Sequence, residues 1–305
     1  MKASYLVGSL LFAVAIPSAL AGSRPDAPVA AQGTTLTLLG TGGGPGGNPD
    51  RAGIASLLTV DGTPYVIDAG EGVSRQLAKA GVSEAKVSTV FLTHLHDDHT
   101  AGLPGLATFA YTLRSKGMKI IGPVSTDALV DGVRAYMQVS SQIRGAEHPL
   151  QAPEKIITGE EVGDGQVYAD DRVVVTAVEN THFRLPAATA AKHKSISYRF
   201  KTRDQVIVFS GDTGPSDAVV ELAKGADIFV CEIVSAADIA RVPPDVRRHM
   251  LEEHLTGAEV GKLATAAGVK TLVLSHLRSI APADVAEVKR NFKGKVVVGT
   301  DMARF

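Results

Sequence analysis

His94-Leu95-His96-Asp97-Asp98-His99 sets imidazoles and carboxylates side by side, directly after the apolar run Val87-Ser88-Thr89-Val90-Phe91-Leu92-Thr93, which reads as a buried strand. Ionisable groups crowded at a strand end are costly to desolvate unless a metal ion neutralises them. His94 and His96 stand two residues apart, so in extended backbone both rings face one side and can share a cation. Asp98 and His99 follow a turn and can reach a second cation nearby, the layout of a two-metal hydrolytic centre. Asp97 falls between the two sets and is expected to be solvated. Gly102, Pro104 and Gly105 close the segment, which places the histidines on a strand-end loop.

Two cations need donors from elsewhere in the chain, and these are sought just beyond other strands. His182 follows the run 172–178, Asp212 follows 206–210 within Phe209-Ser210-Gly211-Asp212-Thr213-Gly214, and His276 ends Thr271-Leu272-Val273-Leu274-Ser275. Each lies where α/β architectures gather ligands, outside the carboxyl ends of strands, and together they supply plausible nitrogen and oxygen shells.

Further strand-like runs are read at 34–39, 54–60, 65–68, 119–121, 195–201, 205–210, 227–232, 270–275 and 295–298. Helices are expected over 72–80, ending at Gly81; over 126–138, with Leu129, Val130, Val133 and Met137 on one face; and over 215–224, with Pro215 in the first turn. Thr256-Gly257-Ala258-Glu259 reads as a capping box opening a helix that stops at Gly268. Strands paired closely at first and later separated by helices argue for an α/β fold of mixed sheets with helices on the outer faces.

Residues 1–21 read as a signal peptide: Lys2, an apolar run from Tyr5 to Ile16, Pro17, and Ala19-Leu20-Ala21 as the cleavage pattern. Residues 22–32 read as a flexible leader and 33–305 as one domain of about 280 residues, long enough for a substantial core. The expected location is therefore periplasmic or secreted, with no membrane attachment after cleavage. The formal net charge is −1, becoming −2 without Lys2, and the charges are interspersed, so no polyanion-binding surface is expected. The single cysteine, Cys231, lies in the strand-like Asp227-Ile228-Phe229-Val230-Cys231 and is expected to be buried and structural.

With these residues in place, the chain from about Thr34 to His276 resembles the metallo-β-lactamase superfamily of metal-dependent hydrolases. The resemblance implies that His94, His96 and His182 hold one metal, that Asp98, His99 and His276 hold the other, and that Asp212 bridges both. It implies a four-layer αββα sandwich and two zinc ions, with manganese or iron as alternatives. Within the superfamily the chain is most similar to the ribonuclease Z and arylsulfatase-like branch, through Leu38-Leu39-Gly40-Thr41-Gly42-Gly43, Asp68-Ala69-Gly70-Glu71-Gly72, Gly102-Leu103-Pro104-Gly105 and His254-Leu255-Thr256. In that branch His254 would be catalytic, Glu232 its strand-end acidic residue, and Asp68 a buried carboxylate supporting the metal ligands.

The chain departs from the tRNA-gripping members, which carry a long insertion between the third ligand and the bridging Asp; here His182 and Asp212 are 30 residues apart. With no basic patch, no nucleic-acid partner is expected. Asp212 argues against lactamase classes with Cys in this place, and His96 against oxygen-reducing diiron relatives with Glu there. Gly42-Gly43-Gly44-Pro45-Gly46-Gly47 imitates a dinucleotide fingerprint, but Asn48-Pro49 and a β-rich run follow instead of a helix, so a tight turn at the site floor is expected.

The expected activity is hydrolysis of small anionic esters, phosphodiesters ahead of aryl sulfates. The metals activate a water, Asp98 orients it, and His254 protonates the leaving oxygen or donates to the oxyanion. A lactone, thioester or β-lactam hydrolase on the same site is the enzyme alternative, and a metal- or ligand-binding protein the non-enzymatic one. Arg184, Lys192, His193, Lys194 and Arg278 flank ligand positions and are candidates for touching an anionic substrate; Tyr111, Arg114 and Tyr136 are candidates for a wall, with core packing as their default. His148, His249 and Arg247-Arg248 fit no pattern. A homodimer is expected by analogy alone.

Overall fold

The computed structural model describes residues 32–305; the expected signal peptide and nearly all of the leader lie outside the described residues. Strands β1 (Thr34–Gly40), β2 (Ala55–Val60), β3 (Thr63–Ile67), β4 (Thr89–Phe91), β5 (Met118–Gly122) and β6 (Ile157–Glu161) form one sheet in that order. Strands β7 (Gly165–Ala169), β8 (Val174–Glu179), β9 (Ile196–Lys201), β10 (Val206–Phe209), β11 (Ile228–Glu232), β12 (Thr271–Ser275) and β13 (Lys295–Val298) form the other, in the order β13 to β7. In each sheet antiparallel hairpins give way to parallel strands: β3 to β6 in the first and β10 to β13 in the second. Parallel strands require crossovers, and the helices supply them.

Three apolar clusters define the layers. Leu36, Tyr65, Phe91, Tyr198, Phe200 and their neighbours fill the space between the sheets. There the Phe91 ring meets Tyr198 edge-on at 5.5 Å and Phe200 at 5.0 Å, the arrangement that aromatic quadrupoles favour. Leu77, Leu106 and Val130 pack helices Val73–Lys79, Leu103–Thr112 and Thr126–Glu147 onto the outer face of the first sheet. Val219, Leu263 and Val288 pack Asp217–Leu222, Gly257–Ala267 and Pro282–Asn291 onto the outer face of the second. This is the four-layer αββα sandwich expected. Strands covered on both faces read as continuous apolar runs rather than alternating ones, as in Val206-Ile207-Val208-Phe209.

Several boundaries differ from expectation. The helix expected to end at 138 runs to Glu147, and in its final stretch the apolar Val139 and Ile143 are exposed. Pro215 lies outside its helix, which begins at Asp217 behind a Ser216 cap whose side chain accepts from the Val219 amide. The Thr256 amide donates to Glu259 Oε2 at 2.8 Å and Gly268 closes that helix in the left-handed region, as expected. Cys231 is fully buried, which pushes its thiol pKa up and keeps it inert. Among the described residues no helix is long and apolar enough to cross a membrane.

Candidate metal centre

The carboxyl ends of strands from both sheets meet at one rim, and the expected donors stand there. His94 follows β4, His182 follows β8, Asp212 follows β10, Glu232 ends β11 and His276 follows β12. Three groupings of metal-binding type result: His94 with His96 and His182; Asp98 with His99, Asp212 and His276; and His182 with Asp212 and His254. His96 Nδ1 is 3.1 Å from His94 Nε2 and 3.3 Å from His182 Nε2. Donors bound about 2.1 Å from a tetrahedral zinc ion lie roughly 3.3 Å apart, so this spacing fits one ion. In the second grouping His276 Nε2 is 3.0 Å from Asp98 Oδ2 and 3.3 Å from Asp212 Oδ2, and His99 Nε2 is 3.3 Å from Asp212 Oδ1. Asp212 also approaches His94 Nε2 at 3.9 Å, which puts its carboxylate between the two groupings.

The donor chemistry fits cations. Burial pushes His94 well down, lowers His96, and takes His182 to about 3, leaving neutral imidazoles with lone pairs free. Burial opposes charge on Asp212 too, yet His276 and His99 hold its carboxyl well below the usual range. The Asp98 carboxyl is likewise pushed up by burial but held at about 2 by the hydrogen bond from His276 and the charge of His99. His99 Nε2 and Asp212 Oδ1 are buried, face each other, and make no hydrogen bond. Orphaned buried polar atoms are rare, and a bound ion satisfies both.

Neighbours aim the ligands. The Asp68 carboxylate takes the Thr93 amide at 2.8 Å and the His99 Nδ1 proton at 3.0 Å, turning Nε2 toward the second grouping. His182 Nδ1 donates to the Glu253 carbonyl at 3.0 Å. The glycine turn forms the floor: the Gly44 amide donates to Asp98 Oδ2 at 2.9 Å, and a Cβ on Gly43 would stand 2.5 Å from His276 Cγ. Asp97 is exposed at the start of the short helix Asp97–Thr100, as expected.

His254 Nδ1 lies 2.6 Å from Glu232 Oε2, and the Val234 amide bonds the Leu255 carbonyl to keep the two segments together. Burial disfavours the imidazolium, but the Glu232 carboxylate more than compensates and raises His254 to about 9, so it carries its proton at neutral pH. His254 Nε2 makes no hydrogen bond among the described residues.

His249, which fits no sequence pattern, stands beside this pair, its ring 5.3 Å from His254 and 5.9 Å from His182. It lies on the helix Pro244–Glu252, which buries no residue of its own and turns its apolar Val246 and Met250 to a pocket instead of the core. Arg184, His193, Lys194 and Arg278 line pockets at the centre, whereas Lys192 does not. Tyr111, Arg114 and Tyr136 line neither; the buried Tyr111 hydroxyl bonds the Gln151 carbonyl, so its role is packing. Arg247 reaches the carbonyls of Ile239, Ala240 and Val242.

Residues 63–277 match the family described as Beta-lactamase superfamily domain. A protein named Ribonuclease Z from Mycobacterium bovis (strain BCG / Pasteur 1173P2) is 29% identical over 278 residues, covering 88% of this chain and 96% of the relative. Another of that name from Mycobacterium avium (strain 104) is 31% identical over 279 residues, with the same shares covered. Among solved structures, the metallo-beta-lactamase fold protein YhfI from Bacillus subtilis is similar at a TM-score of 0.67 and 21% identity, covering 89% of this chain and 98% of that one. The short form of human tRNase Z is similar at 0.64 and 22%, with the same shares covered. These relatives correct one expectation, that nucleic acid is no partner. Proteins named as ribonucleases match this chain nearly end to end, so a short span between His182 and Asp212 does not set it apart from them.

Proposed function

We propose that this chain, which belongs to the beta-lactamase superfamily and within it to the ribonuclease Z branch, and which is a metallo-β-lactamase-fold hydrolase, cuts phosphodiester bonds of RNA. The observation that carries this reading is the buried His254–Glu232 pair, 2.6 Å apart and set beside a double set of metal donors. Two divalent ions, proposed to be zinc, would lower the pKa of a water toward neutrality and polarise the phosphoryl oxygens.

The chain's own groups do the rest. Asp98 Oδ2 is occupied by the Gly44 amide and His276, while Oδ1 makes no hydrogen bond among the described residues and can accept from an attacking water. The water oxygen bonds phosphorus, the bond from phosphorus to the leaving oxygen breaks, and His254 gives that oxygen its proton. Glu232 holds His254 Nδ1, so the donor is Nε2. The products are a phosphomonoester and an alcohol. No observation favours aryl sulfate esters, the second class expected from the sequence.

Export is also proposed, from Lys2, the apolar run behind it and Ala19-Leu20-Ala21. An exported enzyme of this kind would meet RNA outside the cytoplasm. N-terminal sequencing of the mature protein tests cleavage after Ala21.

The activity test is zinc-loaded protein on an end-labelled RNA oligonucleotide. Cleavage that follows metal content and is lost in His254→Ala supports the reading. Protein with two equivalents of metal that is inert toward RNA and bis(p-nitrophenyl) phosphate sinks it.

A further inference from the structure

The metal donors are flanked by a pocket on each side, and His96 and His249 line both. The larger, about 590 Å³, also takes in Asp98, Asp212, His254 and His276; its outer wall is the apolar set Val242, Val246 and Met250, with Arg241 and Arg278 at the rim. Both arginines are exposed, and neither has a carboxylate within ion-pair distance among the described residues. The smaller, about 390 Å³, is walled by Phe183 and Leu185 with His193 and Lys194 beside them, and lacks His254. Leu185 and Val246 are among the large apolar side chains left exposed, 36% and 40%, one at each pocket. Each pocket thus pairs an apolar wall with cationic side chains, a lining suited to a base and the phosphate beside it.

We propose that these pockets are subsites for the two nucleosides joined by the scissile phosphate. The leaving nucleoside sits in the larger pocket, the retained one in the smaller, so the substrate is an RNA chain with at least one nucleotide on each side of the cut. This rests on the phosphodiesterase reading. Polarity follows from His254, which can protonate a leaving oxygen only on the side of the pocket it lines. The half-buried Phe183 ring offers a face for stacking the retained base, a contact tolerant of sequence. In the larger pocket Arg241 and Arg278 are free to meet the next phosphate, whereas Lys194 is held by Glu179 at 2.7 Å.

The test uses zinc-loaded protein and diesters that fill the pockets differently. A dinucleoside monophosphate occupies both; a nucleoside 5′-(p-nitrophenyl) phosphate expels nitrophenol and keeps its nucleoside in the smaller; a 2′,3′-cyclic nucleotide carries both ester oxygens on one nucleoside. The dinucleoside substrate is expected to exceed the cyclic one in kcat/KM by about tenfold or more. For the nitrophenyl ester, Leu185→Trp is expected to raise KM about tenfold more than Val246→Trp does, while for the dinucleoside both raise it comparably. Leu185→Ala and Val246→Ala, with no added bulk, check that lost space rather than misfolding is read. Equal effects of the two Trp variants on the nitrophenyl ester, or a cyclic nucleotide as good as the dinucleoside, overturn the subsites while leaving a phosphodiesterase. No turnover of any diester by fully loaded protein overturns both.

Discussion

Glu232 Oε2 sits 2.6 Å from His254 Nδ1, with both side chains buried and Glu232 also accepting the Thr213 amide. A carboxylate so placed fixes the ring and keeps its proton on. His254→Ala is expected to lower kcat by about 10²–10⁴-fold while metal content stays the same. Glu232→Gln, which keeps shape and loses charge, should fall between. Unchanged turnover with unchanged metal in His254→Ala would remove the acid role.

Asp68 acts one step further out, through His99. Asp68→Asn is expected to weaken metal binding by about 10–100-fold, because the imidazole loses the carboxylate that orients it. Competition with a chromophoric chelator measures this, and wild-type affinity in the variant would count against the arrangement.

Gly43 tests the floor of the site. A methyl group there would stand 2.5 Å from His276 Cγ and 2.6 Å from the His276 carbonyl oxygen, too close for either to stay in place. Gly43→Ala should therefore lose about one equivalent of metal by elemental analysis, the one shared by Asp98, His99 and His276. Full stoichiometry would show that the loop yields instead.

Metal removal should destabilise as well as inactivate. An ion that binds only the folded chain adds about 2.7 kcal/mol when present at a hundred times its dissociation constant. Chelation is expected to lower Tm, and zinc to restore both Tm and turnover. A Tm indifferent to chelator would mean that the donors bind no ion in the folded state.

A pH effect on stability is expected at the opposite end of the sandwich. The Asp170 carboxylate accepts from the Tyr65 hydroxyl at 2.5 Å, from the Tyr168 hydroxyl and from the amides of Arg172 and Val173. Partial burial raises its pKa, but these bonds outweigh burial and leave it lowered. A lowered folded-state value means stability present above the ordinary carboxylate range and lost as pH falls through that lower value. Asp170→Asn should thus lower Tm at pH 7, with the gap closing in strong acid. A gap of constant size would assign the effect to shape rather than charge.

Much of the site was legible from residue type and spacing. Histidines two apart after a strand, and single His or Asp residues beyond other strands, are local patterns, and every donor so identified stands at the rim. Among the elements missed are the short, half-exposed strands β6 and β7 and the helices Leu103–Thr112, Pro244–Glu252 and Pro282–Asn291, each of these helices opening on a proline that by itself also signals a turn. His249 went unread with its helix. The absence of a basic patch misled the reading of partners, because free arginines at a pocket depend on which carboxylates lie near them in space.

The sequence alone determined which groups could bind metal and which strands carried them, since side-chain chemistry and the two-residue strand period are properties of neighbouring residues. Only the tertiary structure decided that Asp212 lies between both donor sets, that His254 leans on Glu232, and that pockets open on either side. Those relations join loops from two sheets, and packing about Phe91 and Phe200, not any local pattern, sets how the strand ends face one another.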